Sequence, residues 1–310
     1  MRAEGGELQV NDLGMAEHPD VYTAQEHPEI TRKYLNIQYA DRTSAEYLDI
    51  YLPEEGDGPF PVIIDMHGGG WIYGVKSSVR MFPVLEGLKK GYAVVSLAYT
   101  LSGDGVFPIQ IYDVKAAVRY LRGNAEQYCL DTDRIGLWGL SAGAYLAALA
   151  GASNGVEAME DKSMGYQTFS SDVEAVVALY APVNLAACQV ERNRADGYDT
   201  PEGRLLGKDP LEDPEWIKFA DPVTYVSSRV PPFFLQYGDA DELVSPEQGR
   251  YLAQALKVWL REDQIYLEVI RGAEHADDKF RTRGNTEKIF RFLDRHLKGN
   301  SNQEHKEEKL

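Results

Sequence analysis

The stretch Arg134-Ile135-Gly136-Leu137-Trp138-Gly139-Leu140-Ser141-Ala142-Gly143, running on into the alanine-rich segment 144–152, carries the densest structural information in the chain. Its first half is a short apolar run of strand character, and its last third has helix-forming composition. A serine stands between them with a glycine two positions away on either side. A chain that passes from strand to helix over so few residues must turn sharply, and only small residues fit beside the turn. Such a turn lifts the serine hydroxyl above the end of the strand and sets it at a helix N-terminus, where the dipole favours developing negative charge. The reading is a nucleophile elbow, and it predicts a hydrolase whose other working parts lie elsewhere in the sequence.

Working outward from the elbow, strand and helix signals alternate. Residues 34–39 (Tyr-Leu-Asn-Ile-Gln-Tyr) and 47–52 (Tyr-Leu-Asp-Ile-Tyr-Leu) alternate apolar and polar, as half-exposed antiparallel strands do. Residues 61–66 and 92–97 are more continuously apolar, as in central strands covered on both faces. Further strands are predicted at 173–180, 233–237 and 265–270, and helices at 109–122, 246 onward and 286–297. The helix near 246 carries a start signal: Ser245 as cap, Pro246 at the first position, and Gln248 three residues on as a capping-box partner. The pattern predicts an α/β fold, a mostly parallel central sheet with helices on both faces. Residues 184–230 have weak periodicity and many charges, and read as a cap or lid inserted into that fold. The expected organisation is an N-terminal arm (1–33), a catalytic domain (34–297) and a polar C-terminal tail (298–310).

Acyl transfer through a serine needs a base, an acid that orients the base, and donors for the oxyanion. Residues 67–71, His-Gly-Gly-Gly-Trp, follow a buried strand, and consecutive glycines let backbone N–H groups approach a substrate oxygen. The N–H groups of Gly69 and Gly70, completed by that of Ala142, form the expected oxyanion hole. No G-K-[ST] or G-x-G-x-x-G pattern follows the glycines, which argues against a phosphate loop. Of the six histidines, His275 follows the last predicted strand and is taken as the base, whereas His67, beside the glycines, reads as structural. Asp239 and Asp241, after the preceding strand, could each orient it. Asp241 is preferred, with Asp239 as a turn-former and Glu242 a third choice. The chain order Ser141, Asp241, His275 is the one this kind of triad follows. Trp71, Tyr198 and Trp216 are candidate substrate-binding aromatics.

Bulk properties narrow the function classes. The net charge of −17 argues against nucleic acid and anionic membrane surfaces as partners. Two cysteines, Cys129 and Cys188, make no disulfide framework, and no metal-ligand spacing occurs, so neither a metal nor a cofactor is expected. Residues 1–11 are polar, without the apolar core of a signal peptide, and no apolar run is long enough to span a membrane. The expectation is a cytoplasmic enzyme acting on a small-molecule ester. Nothing in the sequence sets the oligomeric state.

These residues resemble the α/β-hydrolase superfamily, and within it the hormone-sensitive-lipase-like carboxylesterases and the bacterial feruloyl/acetyl-xylan esterases (BD-FAE). The resemblance rests on residues 47–53, 67–71, the elbow at Ser141, 175–182, 221–227, 237–244 and 272–280. Hormone-sensitive-lipase relatives usually carry an acidic residue before the serine and a second glycine after the elbow. Leu140 and Ala144 stand there instead, which shifts the resemblance toward BD-FAE. What it implies is a serine carboxylesterase acting on acetyl or hydroxycinnamoyl esters of a carbohydrate, such as an acylated oligosaccharide. An aryl formamidase or small peptidase with the same triad is the runner-up, and a non-catalytic binding protein on the same fold is the remote one.

Overall fold

The computed structural model describes residues 9–10, 16–17, 23–192 and 197–299; the expected arm and tail lie largely outside this range. Eight strands form one sheet: β1 (Lys33–Gln38), β2 (Tyr47–Tyr51), β3 (Phe60–Met66), β4 (Ala93–Leu97), β5 (Leu130–Leu140), β6 (Ala175–Leu179), β7 (Phe233–Gly238) and β8 (Ile265–Ile270). Their spatial order is β1-β2-β4-β3-β5-β6-β7-β8. Strand β2 runs antiparallel to both its neighbours, and every other pairing, from β4 to β8, is parallel. This is the α/β-hydrolase fold. Parallel strands need helical crossovers, and these cover both sheet faces with separate apolar clusters.

The helices follow from their sequences. α1 is the single turn Phe82–Leu85, and α2 (Ile109–Gly123) buries Ile111, Val114, Ala117, Val118 and Leu121 at helical spacing. α3 (Ala142–Ala152) is buried along its whole length, which explains its Ala/Gly composition. A Cβ on Gly143 would sit 2.3 Å from Met66 O, and one on Gly151 would sit 2.4 Å from Val176 Cγ2, so the helix can lie this close to the sheet only with small residues. Between β6 and β7, the span 184–230, expected to be a cap and called the cap below, contains, among its described residues, α4 (Leu185–Glu191), α5 (Pro201–Leu206) and α6 (Pro214–Ala220). It is anchored by Phe107, Trp216 and Phe219, whose ring centroids lie 5.3–6.0 Å apart. α7 (Pro246–Leu256) and α8 (Arg283–Leu293) complete the body. Among the described residues no helix is long and apolar enough to cross a membrane.

Two local expectations are corrected. Strand β2 is covered on both faces rather than half exposed: its polar Asp49 takes an ion pair from Lys76 (2.7 Å) and a hydrogen bond from Ser77 Oγ (2.8 Å) instead of water. The α7 start lacks the predicted capping box. Ser245 caps the Glu247 N–H (3.2 Å), but the Gln248 side chain turns away to accept from the N–H groups of Val183 (3.0 Å) and Asn184 (2.8 Å) at the base of the cap.

Candidate active site

The loops after β3, β5, β7 and β8 leave the sheet at one edge, the carboxyl ends of the parallel strands, where ligands of such sheets bind. At the end of β5 Ser141 takes φ 51° and ψ −116°, a left-handed conformation rarely held by a residue with a side chain. The flanking glycines are demanded sterically: a Cβ on Gly139 would lie 2.3 Å from Gly143 O. Trp71, Tyr180 and Ala276 also have positive φ, so backbone strain gathers around this serine.

Strands β7 and β8 end level, with Gly238 opposite Ile270, so the loops that follow them lie side by side. The Asp239 carboxylate accepts from the Gly272 N–H and ties the two loops together. Asp241 Oδ2 lies 2.7 Å from His275 Nδ1, and His275 Nε2 lies 2.9 Å from Ser141 Oγ. Asp241 Oδ1 is held by the N–H groups of Leu243 and Val244, both at 2.8 Å. With two amides donating to one carboxylate oxygen, the other is left to accept from His275 Nδ1–H. Nε2 then carries the lone pair that faces the Ser141 hydroxyl. The Tyr180 ring packs edge-on against His275 at 4.9 Å, and Arg80 donates to Ala276 O (2.9 Å), which fixes the histidine loop from both sides. Glu242 is exposed, and Asp277 spends its carboxylate on the N–H groups of Glu274 and Lys279, away from His275.

In the glycine loop Gly69 and Gly70 have φ 110° and 59°. The Gly69 carbonyl is turned inward and accepts from the Ile72 and Tyr73 N–H groups (3.0 Å each). The N–H of Gly70, across the same trans peptide, therefore points the opposite way. Ala142 opens α3, so its N–H has no acceptor within the helix. Gly70 and Ala142 line one cleft with Ser141 and His275, and Gly69 lines a second cleft that shares those two residues. His67 is stacked on Tyr99 (4.4 Å), bonded to Gly68 O, and pushed down by burial to a pKa of about 4. It is neutral at working pH and holds the loop in shape.

The three aromatic candidates fall in different places. Trp71 lines a cleft beside Ser141, but its ring is buried and its Nε1 donates to Ala142 O (3.0 Å). Trp216 donates to Leu206 O (3.2 Å) and stacks on Phe219 within the cap. Tyr198 is 54% exposed on the cap surface. Sequence reading missed Arg80, Tyr180, Arg192 and Glu202, which also line the two clefts. Among the described residues no cluster of His, Cys, Asp and Glu could hold a metal ion.

A family profile described as BD-FAE matches residues 48–256. The chain is 30% identical over 264 residues to esterase LipQ of Mycobacterium tuberculosis, covering 83% of this chain and 61% of LipQ; it spans about three fifths of the length of such curated relatives. Among solved structures it is similar to a truncated carbohydrate esterase from gut microbiota (31% identity, TM-score 0.77, covering 89% of this chain and 97% of that one). It is also similar to the bifunctional GH43-CE of Bacteroides eggerthii (32% identity, TM-score 0.77, covering 85% of this chain and 38% of that one). With the profile covering most of the chain and the sheet order matching the fold, the chain belongs to the BD-FAE family of α/β-hydrolases.

Proposed function

We propose that the chain is a serine carboxylic-ester hydrolase that removes acetyl or hydroxycinnamoyl groups from carbohydrate. The observation that carries the reading is the unbroken relay from Ser141 Oγ through His275 to a buried Asp241. His275 takes the Ser141 proton as the hydroxyl attacks the ester carbonyl. The tetrahedral oxyanion is stabilised by the N–H groups of Gly69, Gly70 and Ala142, groups already fixed by the loop turn and the helix start. His275, kept in the right tautomer by Asp241, then protonates the leaving alcohol, and water releases the acid by the same route. The carbohydrate assignment is supported by similarity to proteins described as a carbohydrate esterase and a bifunctional GH43-CE. Of the three aromatic candidates Trp71 alone lines a cleft with Ser141 and is kept for contact with substrate; Tyr198 and Trp216 line neither of the two Ser141 clefts and are set aside.

The test is initial-rate hydrolysis of acetyl, butyryl, octanoyl and feruloyl esters, with Ser141→Ala alongside. Turnover of acetyl or feruloyl esters that vanishes in the variant is expected. Turnover restricted to N-formyl arylamines would replace the reading with a formamidase, and none on any substrate would leave a binding protein.

A further inference from the structure

The cap contributes a charged pair to the cleft that Ser141 and His275 share. Glu202, at the second position of α5, and Arg192, just after α4, both line it, and both side chains are at least nine-tenths buried. Arg192 is fixed twice, through Nε to Cys188 O (3.1 Å) and through its guanidinium to Glu202 Oε1. That pair satisfies one carboxylate oxygen. The other, Glu202 Oε2, is buried and accepts no hydrogen bond among the described residues. A buried carboxylate oxygen without a donor is costly, and proteins seldom leave one unless a ligand or water completes it. Each partner is tied to its own helix: Arg192 to α4 through Cys188 O, and Glu202 to the start of α5, where Thr200 caps the Gly203 N–H (3.0 Å). The triad has no use for this oxygen, because Asp241 alone orients His275.

We infer that Glu202 Oε2 is a specificity element that accepts a hydrogen bond from a substrate hydroxyl close to the scissile ester, with Arg192 holding the carboxylate in place. This rests on the esterase reading and narrows its substrate class to those carbohydrate esters in which a free hydroxyl neighbours the acylated one. A site built around a hydroxyl donor rejects the analogue lacking it, because the buried acceptor is then left unpaired.

The test compares two substrates on the full chain: a methyl xyloside carrying one acetyl group next to a free hydroxyl, and the same ester with that hydroxyl replaced by hydrogen. The wild type is expected to prefer the hydroxylated ester by about 10- to 100-fold in kcat/KM. In Glu202→Gln the amide oxygen must face Arg192, so an NH2 group replaces Oε2 and the preference should fall at least about fivefold. Arg192→Met/Glu202→Met removes both charges together, avoids a lone buried ion and should bring the preference close to one. A wild-type ratio near one, or a large ratio that both variants keep, overturns the inference. A wild type with no Ser141-dependent hydrolysis of any ester, p-nitrophenyl acetate included, would instead be failure of the esterase reading.

Discussion

Asp241→Asn is the most discriminating perturbation of the site, because the surrounding hydrogen bonds dictate how the amide must sit. The N–H groups of Leu243 and Val244 both donate to Oδ1 at 2.8 Å, and an NH2 group in that position would face two donors. The amide oxygen is therefore held there, and the NH2 group takes the place of Oδ2, 2.7 Å from His275 Nδ1. Nδ1 must then become an acceptor, which moves the ring proton to Nε2, opposite the Ser141 hydroxyl. The base is left in the wrong tautomer with its geometry nearly intact. The loss expected for that fault is about 10⁴-fold in kcat, or roughly 5.4 kcal/mol at 1.36 kcal/mol per decade. Asp239→Asn is the internal control: its oxygen can still accept from the Gly272 N–H, so kcat should stay within about threefold. Steady-state hydrolysis of p-nitrophenyl acetate by the two variants, with melting curves to exclude unfolding, decides the matter. An Asp241→Asn enzyme within tenfold of wild type, or an equal loss in Asp239→Asn, would refute the assignment.

Three further outcomes follow from the same geometry. Gly69→Ala forces a Cβ to 2.3 Å from Tyr73 O at a φ of 110°, so the loop must shift; kcat should fall about 10²–10³-fold, and a variant of near wild-type kcat would remove Gly69 from the oxyanion hole. Asp65, with Oδ1 unpartnered in the core, is pushed up by burial to a pKa of about 7 against an ordinary 3.8, so the folded state holds its proton while the unfolded chain has lost it. Its contribution is fully present below about pH 4 and is lost as pH rises through about 7, at roughly 1.4 kcal/mol per unit. Urea melts should therefore show Asp65→Asn gaining on wild type by a few kcal/mol between pH 4 and 8, and a difference flat with pH would refute this. Buried His67 has the opposite sign, its contribution fading as pH falls from 6.5 towards 4, but it is common to both proteins and cancels. Gln248→Ala leaves the Val183 and Asn184 N–H groups without their acceptor and should cost about 1–3 kcal/mol by chemical denaturation; Gln248→Glu keeps that acceptor but turns a carboxylate oxygen toward Glu191 Oε1, to which the amide donates at 3.1 Å, so its cost should shrink as pH falls and one carboxyl takes a proton.

The parts of the site that were legible in the sequence are those whose constraint is local. The elbow demands small residues at Gly139 and Gly143 whatever surrounds it, and strand ends announce the loops that hold Asp241 and His275. The choice between Asp239 and Asp241 had no local signature, since both stand in one Asp-Ala-Asp turn. Tertiary direction separates them: one points to the Gly272 N–H and the other to the His275 ring. The cap helices were hidden for a different reason. Each is six or seven residues long, too short for periodicity to register, and is held by packing rather than propensity. Their starts were nevertheless written in the sequence: Asn184, Thr200 and Asp213 all cap, and Pro201 and Pro214 occupy first positions.

Ser245-Pro246-Glu247-Gln248 makes the competition between local and tertiary partners explicit. Read locally, Gln248 would reach back to the helix start and satisfy one exposed N–H, which water could serve equally well. Read in the fold, it serves two N–H groups at the root of the cap, where Val183 is fully buried and water has no access. Leaving a buried donor unpaired costs more than leaving an exposed one to solvent, so the tertiary partners win. The same inequality governs Asp49, whose position in an alternating strand suggested solvent and which instead serves Lys76 and Ser77 beneath the loop that leads to the active site. Gln248 and Asp49 are recruited where water is excluded; of the buried oxygens left without a partner among the described residues, the one on a residue that lines a Ser141 cleft is Glu202 Oε2, and it is there that a donor from outside the chain has a use.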